Sequence, residues 1–330
     1  MAIDSFNMLK VIEEFPHQCK TALELPKGMS VSGNVNKIVV AGMGGSAISG
    51  DLLKIYMHNS NIPVFVVRDY KVPNFVDENT LFFAVSYSGN TEETISAFES
   101  AVKKKAKVIA VTSGGSLGQI AKKVIKIPSG LQPRAALGYL FFPVLGVLVN
   151  SNIVDVKNSD ITEMLDILSK AQDFKTVGER IAKKIAQRTP IIYASELLSA
   201  VAYRWKTQFN ENSKSAAFHH AFSEMNHNEI AGYQTMDRGD YVAIFIRDKE
   251  DNERIKKRMD TTKEIISTKV DAEEVFTKGD GLLSRIFSGI YYGDFASYYL
   301  ALANKIDPTP VTVIEKLKKG LRWILHFFYP

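Results

Sequence analysis

Ser86–Thr94 reads SYSGNTEET, and its two flanks decide the fold. Before it stands Leu81–Val85, LFFAV, an unbroken apolar run that predicts a buried parallel strand. After it, Ile95, Phe98 and Val102 recur at helical spacing and predict an amphipathic helix. The hydroxyls of Ser86, Ser88 and Thr91 therefore lie where a strand ends and a helix begins. Gly89 and Asn90 let the backbone turn sharply there. A helix N-terminus carries unpaired N–H groups and partial positive charge, which suits an anion. A simple Ser/Thr cap needs one hydroxyl, whereas three with a glycine between them predict a phosphate pocket. Glu92 and Glu93 fit the first helical turn but must point away from such a ligand.

Outward from this stretch the same alternation repeats. Residues 4–24 read as one amphipathic helix whose apolar positions (Phe6, Leu9, Val11, Ile12, Phe15) pack on the first half of the chain. A strand at Lys37–Ala41 runs into GMGGSAISGDLL, where Gly42, Gly44 and Gly45 allow a ligand close to backbone and Ser46 starts a helix. That segment also satisfies the dinucleotide fingerprint G-x-G-x-x-A, with Asp69 after PVFVVR as the required acid. The glycine loop alone does not decide between the two readings; the hydroxyl loop after the third strand tips the balance away from a dinucleotide-binding dehydrogenase, which stays as the weaker alternative. Further strands at Lys107–Val111 and Val124–Ile127 complete a parallel sheet with helices on both faces. Arg134 enters the apolar helix of PRAALGYLFFPVLGVL, a place that calls for an anionic partner or solvent. Residues 150–175 turn polar and read as a crossover. Strands at Pro190–Ala194, Tyr241–Ile246 and Val270–Phe276 then alternate with helices over 196–209, 250–266 and 281–302. The expectation is an α/β chain of two doubly wound parallel-sheet, flavodoxin-like subdomains, residues 1–152 and 153–330, the second a degenerate copy without the phosphate loops.

Bulk properties bound the function. The chain has 330 residues, enough for about two domains, and 45% of them are hydrophobic. Lys and Arg number 41 against 36 Asp and Glu, a mild excess without a dense basic stripe. That balance favours anionic small molecules and predicts no nucleic-acid partner. A single cysteine, Cys19, forbids an intrachain disulfide and fits a cytoplasmic protein. No signal run stands at the start, and the apolar stretch around Leu137–Val149 is too short to span a bilayer, so no membrane partner is expected.

Two segments of the second half carry candidate chemistry. In FNENSK, Glu211 lies between two asparagines, flanked by Lys206 and Lys214; in EMNHNEI, His227 is placed likewise. A glutamate among amides can be held as a base, and a histidine can pass a proton to a ring oxygen. Taken singly, each is more simply a surface acid or a loop histidine, and His219 and His220 read as structural or edge residues.

The loop SYSGNTEET resembles the phosphate loop of the sugar isomerase (SIS) domain family, which binds phosphosugars on a doubly wound scaffold, and GMGGS resembles the second wall of that site. Taken in order, GMGGSA, SYSGNTEET, PRAALGYL, FNENSK, NHNEI and the final DPTPVTVIEKLK resemble the archaeal bifunctional phosphoglucose/phosphomannose isomerases. The resemblance implies two SIS subdomains, a homodimer with a shared active site, and metal-independent isomerisation through a cis-enediol with no cofactor. It gives Glu211 the role of base and His227, from the partner subunit, that of ring opener. Arg134 becomes the cation at the enediol and Lys318 a helper in ring opening. Gly45, Ser46, Ser86, Ser88 and Thr91 match the phosphate site. Val311 falls where some relatives carry a threonine linked to mannose use, with Thr309 and Thr312 close by. The alternatives are another phosphosugar isomerase of the SIS family or a non-catalytic phosphosugar sensor. The apolar tail GLRWILHFFYP, from Gly320 onward, is either a dimer contact or an appendage.

Overall fold

The computed structural model describes residues 3–236 and 239–328, with side chains through Leu321. The side chains of the apolar tail beyond Leu321, and with them its packing, therefore lie outside the description. The chain opens with two helices, α1 (Met8–Glu13) and α2 (Phe15–Glu24), where the sequence predicts one. The break falls at Glu14, and Pro16 sits in the first turn of α2, where a missing N–H costs no helical bond.

The first sheet is built by β1 (Lys37–Ala41), α3 (Gly45–Tyr56), β2 (Val64–Val67), β3 (Thr80–Val85), α4 (Glu92–Lys103), β4 (Lys107–Thr112), α5 (Gly115–Ile120), β5 (Val124–Lys126) and α6 (Leu137–Asn150). Its strand order is β2-β1-β3-β4-β5, with every pairing parallel. This is the flavodoxin-like order, and its reversal lies between β1 and β3, where ligands of such sheets bind. The two glycine- and hydroxyl-bearing loops leave those two strands. All six residues of β3 are buried, as a strand covered on both faces requires. On α4 the buried face is Thr94, Ala97, Phe98 and Ala101, whereas Val102 is 50% exposed and falls outside the predicted stripe.

After α7 (Asn158–Leu168) and α8 (Ala171–Ile185), the second half repeats the plan with β6 (Thr189–Ser195), α9 (Ser199–Glu211), β7 (Phe218–Phe222), β8 (Tyr241–Arg247), α10 (Glu253–Ile266), β9 (Asp271–Phe276) and α11 (Leu282–Ala303). The order β7-β6-β8-β9, again parallel, matches the first four strands of the other sheet. A final helix, α12 (Thr312–Phe328), closes the chain. The strand β7, FHHAF, is an edge strand that the sequence reading leaves unassigned, and His219 and His220 lie on it.

The two halves share one core. Phe142 on α6 stacks on Phe287 of α11 at 5.0 Å, and Phe141 meets the same ring at 5.2 Å. Phe15 of α2 lies 6.0 Å from Phe287 and 5.8 Å from Tyr291, so the N-terminal helices pack across both halves rather than on the first alone. Phe6, predicted to pack, is 68% exposed. Among the described residues no helix is long and apolar enough to cross a membrane.

Candidate active site

The two loops at the sheet reversal are bonded into one unit. Gly44 adopts φ 50°, a left-handed value that favours glycine, and α3 starts directly after it. A Cβ on Gly42 would stand 2.8 Å from the carbonyl oxygen of Val85, so the loop after β1 crosses the end of β3 at a distance only glycine permits. The backbone N–H of Tyr87 donates to Ser46 Oγ at 3.2 Å, which ties the second loop to the first. Within SYSGNTEET, the N–H of Gly89 donates to Ser86 Oγ at 3.1 Å and that of Asn90 to Ser88 Oγ at 3.2 Å. Ser86 Oγ donates to Thr91 Oγ1 at 3.1 Å. The loop after β4 braces this turn: Ser113 donates to the carbonyl of Tyr87, and the N–H of Ser116 to Asn90 Oδ1 at 2.9 Å. A hydroxyl has one donor and two acceptor sites. Ser46 and Ser88 are used only as acceptors here, so each keeps its own hydrogen for a ligand. Ser86 is buried and spends its hydrogen inside the turn, Ser88 is exposed, and Thr91 is the half-buried N-cap of α4. The charges of Glu93 and Glu92 are felt at Tyr70, where they add to burial in raising the phenol's pKa.

Arg134 enters beside this unit. Pro133–Ala135 form a short 3-10 turn that passes so close to α3 that a Cβ on Gly45 would lie 3.0 Å from Arg134 Cα. The guanidinium, 2% exposed, is bonded on every nitrogen. Its Nε donates to Asn212 Oδ1 at 2.6 Å, and Nη2 to the carbonyls of Pro308 and Thr309, both at 2.8 Å. Nη1 reaches Glu211 Oε2 at 3.4 Å and Gln132 Oε1 at 3.5 Å, both at the outer limit of a hydrogen bond. The cation is thus held firmly on two nitrogens and loosely on the third, which faces the carboxylate. Burial pulls the Arg134 pKa down and Glu211 pushes it back; a guanidinium stays protonated under such shifts.

Glu211 is the last residue of α9, and its side chain is partly exposed. The asparagine after it, Asn212, is buried and holds Arg134 on one side and Ser297 Oγ of α11 on the other, at 2.9 Å. A buried group on α9 and α11 supports the pair from behind. Arg204 Nη2 donates to both oxygens of Asp294, at 2.9 and 3.0 Å, and to the carbonyl of Arg134 at 3.1 Å, while Gln208 Nε2 donates to Asp294 at 2.7 Å. Burial raises the Asp294 pKa and Arg204 opposes that rise. The sequence reading passes over these residues. The available signals were a lone acid in the apolar run GIYYGDFASYY and the i,i+4 spacing of Arg204 and Gln208. Lys214, two residues past Asn212, donates to the carbonyls of Asn212, Asp307 and Pro308. Burial, then Arg134, lower its pKa to about 8, against the pull of Asp307 and Glu211.

The structure thus brings Gly45, Ser46, Ser86, Ser88, Thr91, Arg134 and Glu211 to one edge of the molecule. His227 and Lys318 stand elsewhere. His227 is exposed at the end of a 3-10 turn, Glu224–His227, that follows β7, and Lys318 is exposed on α12. Among the described residues, no hydrogen bond or ion pair joins either of them to Arg134 or Glu211. Nor do three His, Cys, Asp or Glu side chains come together as a metal-ligand set among the described residues.

This fold is of the SIS-domain type. Residues 34–139 match the SIS domain, and residues 174–321 match the bacterial phospho-glucose isomerase C-terminal SIS domain. The C-terminal domain of glucosamine-fructose-6-phosphate aminotransferase from Francisella tularensis has the same fold, with a TM-score of 0.73 at 16% identity, covering 94% of this chain and 100% of that one. The bifunctional phosphoglucose/phosphomannose isomerase of Caldicellulosiruptor bescii is 42% identical over 95% of this chain and 98% of its own. That of Thermoplasma acidophilum is 44% identical over 93% and 97%. The chain belongs to the family of bifunctional phosphoglucose/phosphomannose isomerases.

Proposed function

We propose that this enzyme interconverts glucose 6-phosphate and mannose 6-phosphate with fructose 6-phosphate through a cis-enediol, without a metal or other cofactor. The observation that carries the reading is the buried Arg134 guanidinium facing the Glu211 carboxylate at 3.4 Å, beside the bonded phosphate loops. The phosphate is held by the hydroxyls of Ser46, Ser88 and Thr91 and the backbone at Gly45, while Ser86 steadies the turn through its bonds to Thr91 and Gly89. Glu211 takes the proton from C2 of the aldose and returns it to C1. As Glu211 becomes neutral, the substrate oxygens gain the charge it loses. Arg134 Nη1, bonded only loosely in the resting site, exchanges its long contacts for a bond to such an oxygen, while the planar guanidinium stays fixed through Nε and Nη2. Rotation of the enediol about C2–C3 lets the proton return on either face of C2, which gives both aldoses. Val311 stands where some relatives carry a threonine linked to mannose use, with Thr309 and Thr312 close by, so the glucose activity is the better supported of the two.

His227 and Lys318 open the sugar ring. Their exposure away from Glu211 supports a homodimer in which the partner subunit supplies the histidine. The chain divides at 152/153, with the phosphate loops in residues 1–152 and Glu211, His227 and Lys318 in 153–330; the two matched domains support that division. A cytoplasmic setting fits the single, buried Cys19. The deciding experiment is a coupled assay of glucose 6-phosphate formed from fructose 6-phosphate in the presence of EDTA, with mannose 6-phosphate as second substrate. Turnover in EDTA is the expected result. A rate that collapses in EDTA and returns with zinc or magnesium removes the enediol reading, and tight binding without turnover leaves a sensor.

A further inference from the structure

We propose that Lys214 is a positioning residue that clamps the 307–309 turn, and with it the start of α12, against the Arg134–Glu211 pair. The proposal rests on the reading of that pair as the catalytic centre and assigns a group that touches neither substrate nor reacting atoms. Lys214 lies just past the end of α9 with φ 52°, a left-handed value unusual for a residue with a side chain. That backbone turn sends the ammonium back over the chain. It donates to the carbonyls of Asn212 at 3.2 Å, Asp307 at 2.7 Å and Pro308 at 3.1 Å. Arg134 Nη2 donates to Pro308 and Thr309. Three successive carbonyls, those of Asp307, Pro308 and Thr309, are therefore gathered by two cations, with Pro308 shared between them.

The sequence of the turn, Asp-Pro-Thr-Pro, explains why it needs them. Pro308 and Pro310 have no N–H and cannot donate a backbone bond, so the turn offers carbonyls without the donors that usually accompany them. Its own contribution is a local bond from the N–H of Thr309 to Asp307 Oδ1 at 2.9 Å and a bond from Ser5 Oγ to the other oxygen of Asp307. Beyond the turn α12 leaves the body, and Val313 and Leu317 on it are exposed. The direction of α12, which carries Lys318, is thus set at the turn.

The groups facing Lys214 are Arg134 from the 3-10 turn, Glu211 from α9 and Asp307 from the turn itself. With its pKa held at about 8, the ammonium becomes an amine within the range of ordinary assays. An amine has fewer donors than there are carbonyls around it, and its lone pair opposes theirs. The clamp therefore loosens on the alkaline side. The phosphate loops, which share no hydrogen bond with it, are left as they were.

The test measures kcat and KM for fructose 6-phosphate from about pH 6 to about pH 10, and amide hydrogen exchange near pH 7, on the full-length protein. The variants are Lys214→Met, Lys214→Gly and Lys214→Arg. Glycine accepts the left-handed backbone without strain, so it separates loss of the ammonium from loss of the turn. The wild type is expected to lose kcat with a midpoint near pH 8 and nearly constant KM. Lys214→Met and Lys214→Gly lower kcat about tenfold at neutral pH and lack that alkaline limb, and both speed exchange over residues 305–317. Lys214→Arg, which stays charged, recovers part of the lost rate and carries no limb near pH 8. An alkaline limb unchanged in Lys214→Arg, or exchange over 305–317 unchanged in both Met and Gly variants, overturns the clamp. Where Lys214→Met fails to fold, the Arg and Gly variants decide it. A wild type without isomerase activity counts against the proposed function alone, since the exchange readout still tests the clamp.

Discussion

Glu211 and Arg134 touch through one of the two long bonds the arginine makes, and that geometry separates the roles of the side chains around them. Glu211→Gln keeps the shape and the bond to Nη1 but removes the base. Turnover should fall by roughly two to four orders of magnitude, and exchange of the C2 proton with deuterated water should stop. Exchange that continues undiminished would pass the role to Glu224 or Glu229. The phosphate hydroxyls divide in the same way. Ser88 accepts one bond from its own loop and keeps a free donor, and Thr91 sits at the N-cap of α4. Ser88→Ala and Thr91→Val should each raise KM for fructose 6-phosphate with the fold intact, each losing about 1.5–3 kcal/mol for a bond to a charged group. Two mutants with wild-type KM would remove the pocket. Ser86→Ala belongs to another class, because its hydroxyl accepts the Gly89 N–H and donates to Thr91 inside the turn. Its effect should appear in stability as well as in binding.

At the scale of elements, the buried Arg204–Asp294 pair joins α9, which ends at Glu211, to α11, which runs through the shared core. Removing one partner of a buried pair strands the other, typically at about 3–5 kcal/mol. Burial has already raised the Asp294 pKa, so its folded form holds a proton at higher pH than the unfolded chain does. A carboxyl raised in this way adds stability at acid pH and loses it as pH rises through its folded pKa. Arg204→Met removes the opposing cation and raises it further. The loss of melting temperature in this variant should therefore be largest near neutrality and shrink as pH falls and Asp294 takes up its proton, because a neutral carboxyl needs no cation. A pH-independent loss would mean that packing, not charge, is what Arg204 supplies. The pair also marks where sequence reading stops. SYSGNTEET and GMGGSA carry their turn geometry in local backbone chemistry, and the strand order places them side by side, so both loops were legible. Arg134 and Glu211 are 77 residues apart and were linked only by resemblance of their motifs. Arg204, Asp294 and Lys214 act through partners on other elements, and no local pattern names those partners. The strand β7 was missed for a different reason: it is a short edge strand whose two histidines blur the alternation of apolar and polar residues.

At the scale of the molecule, the two sheets repeat one topology, yet the halves are not separate bodies, because Phe287 of α11 packs on Phe141 and Phe142 of α6. Such ring pairs add about 0.5–1.5 kcal/mol each beyond their burial. A rigid joint of this kind holds the phosphate loops of one half against Glu211 of the other. It does nothing for His227, which stands exposed after β7 with no bond to the pair. The ring-opening role proposed for His227 calls for a second subunit, since a twofold dimer presents the same surface in both directions. The expectation is tested by mixing two inactive proteins, Glu211→Gln and His227→Ala, after reversible dissociation. With sites shared across the interface, each mixed dimer has one site with both defects and one with neither. Random exchange makes half the dimers mixed, so roughly a quarter of wild-type activity should return. His227→Ala alone should slow turnover of the closed sugar more than that of an open-chain analogue, because only the closed form needs ring opening. No recovery, in a mixture whose subunit exchange is shown by a tagged subunit, would mean that His227 serves its own chain or has no part in the reaction.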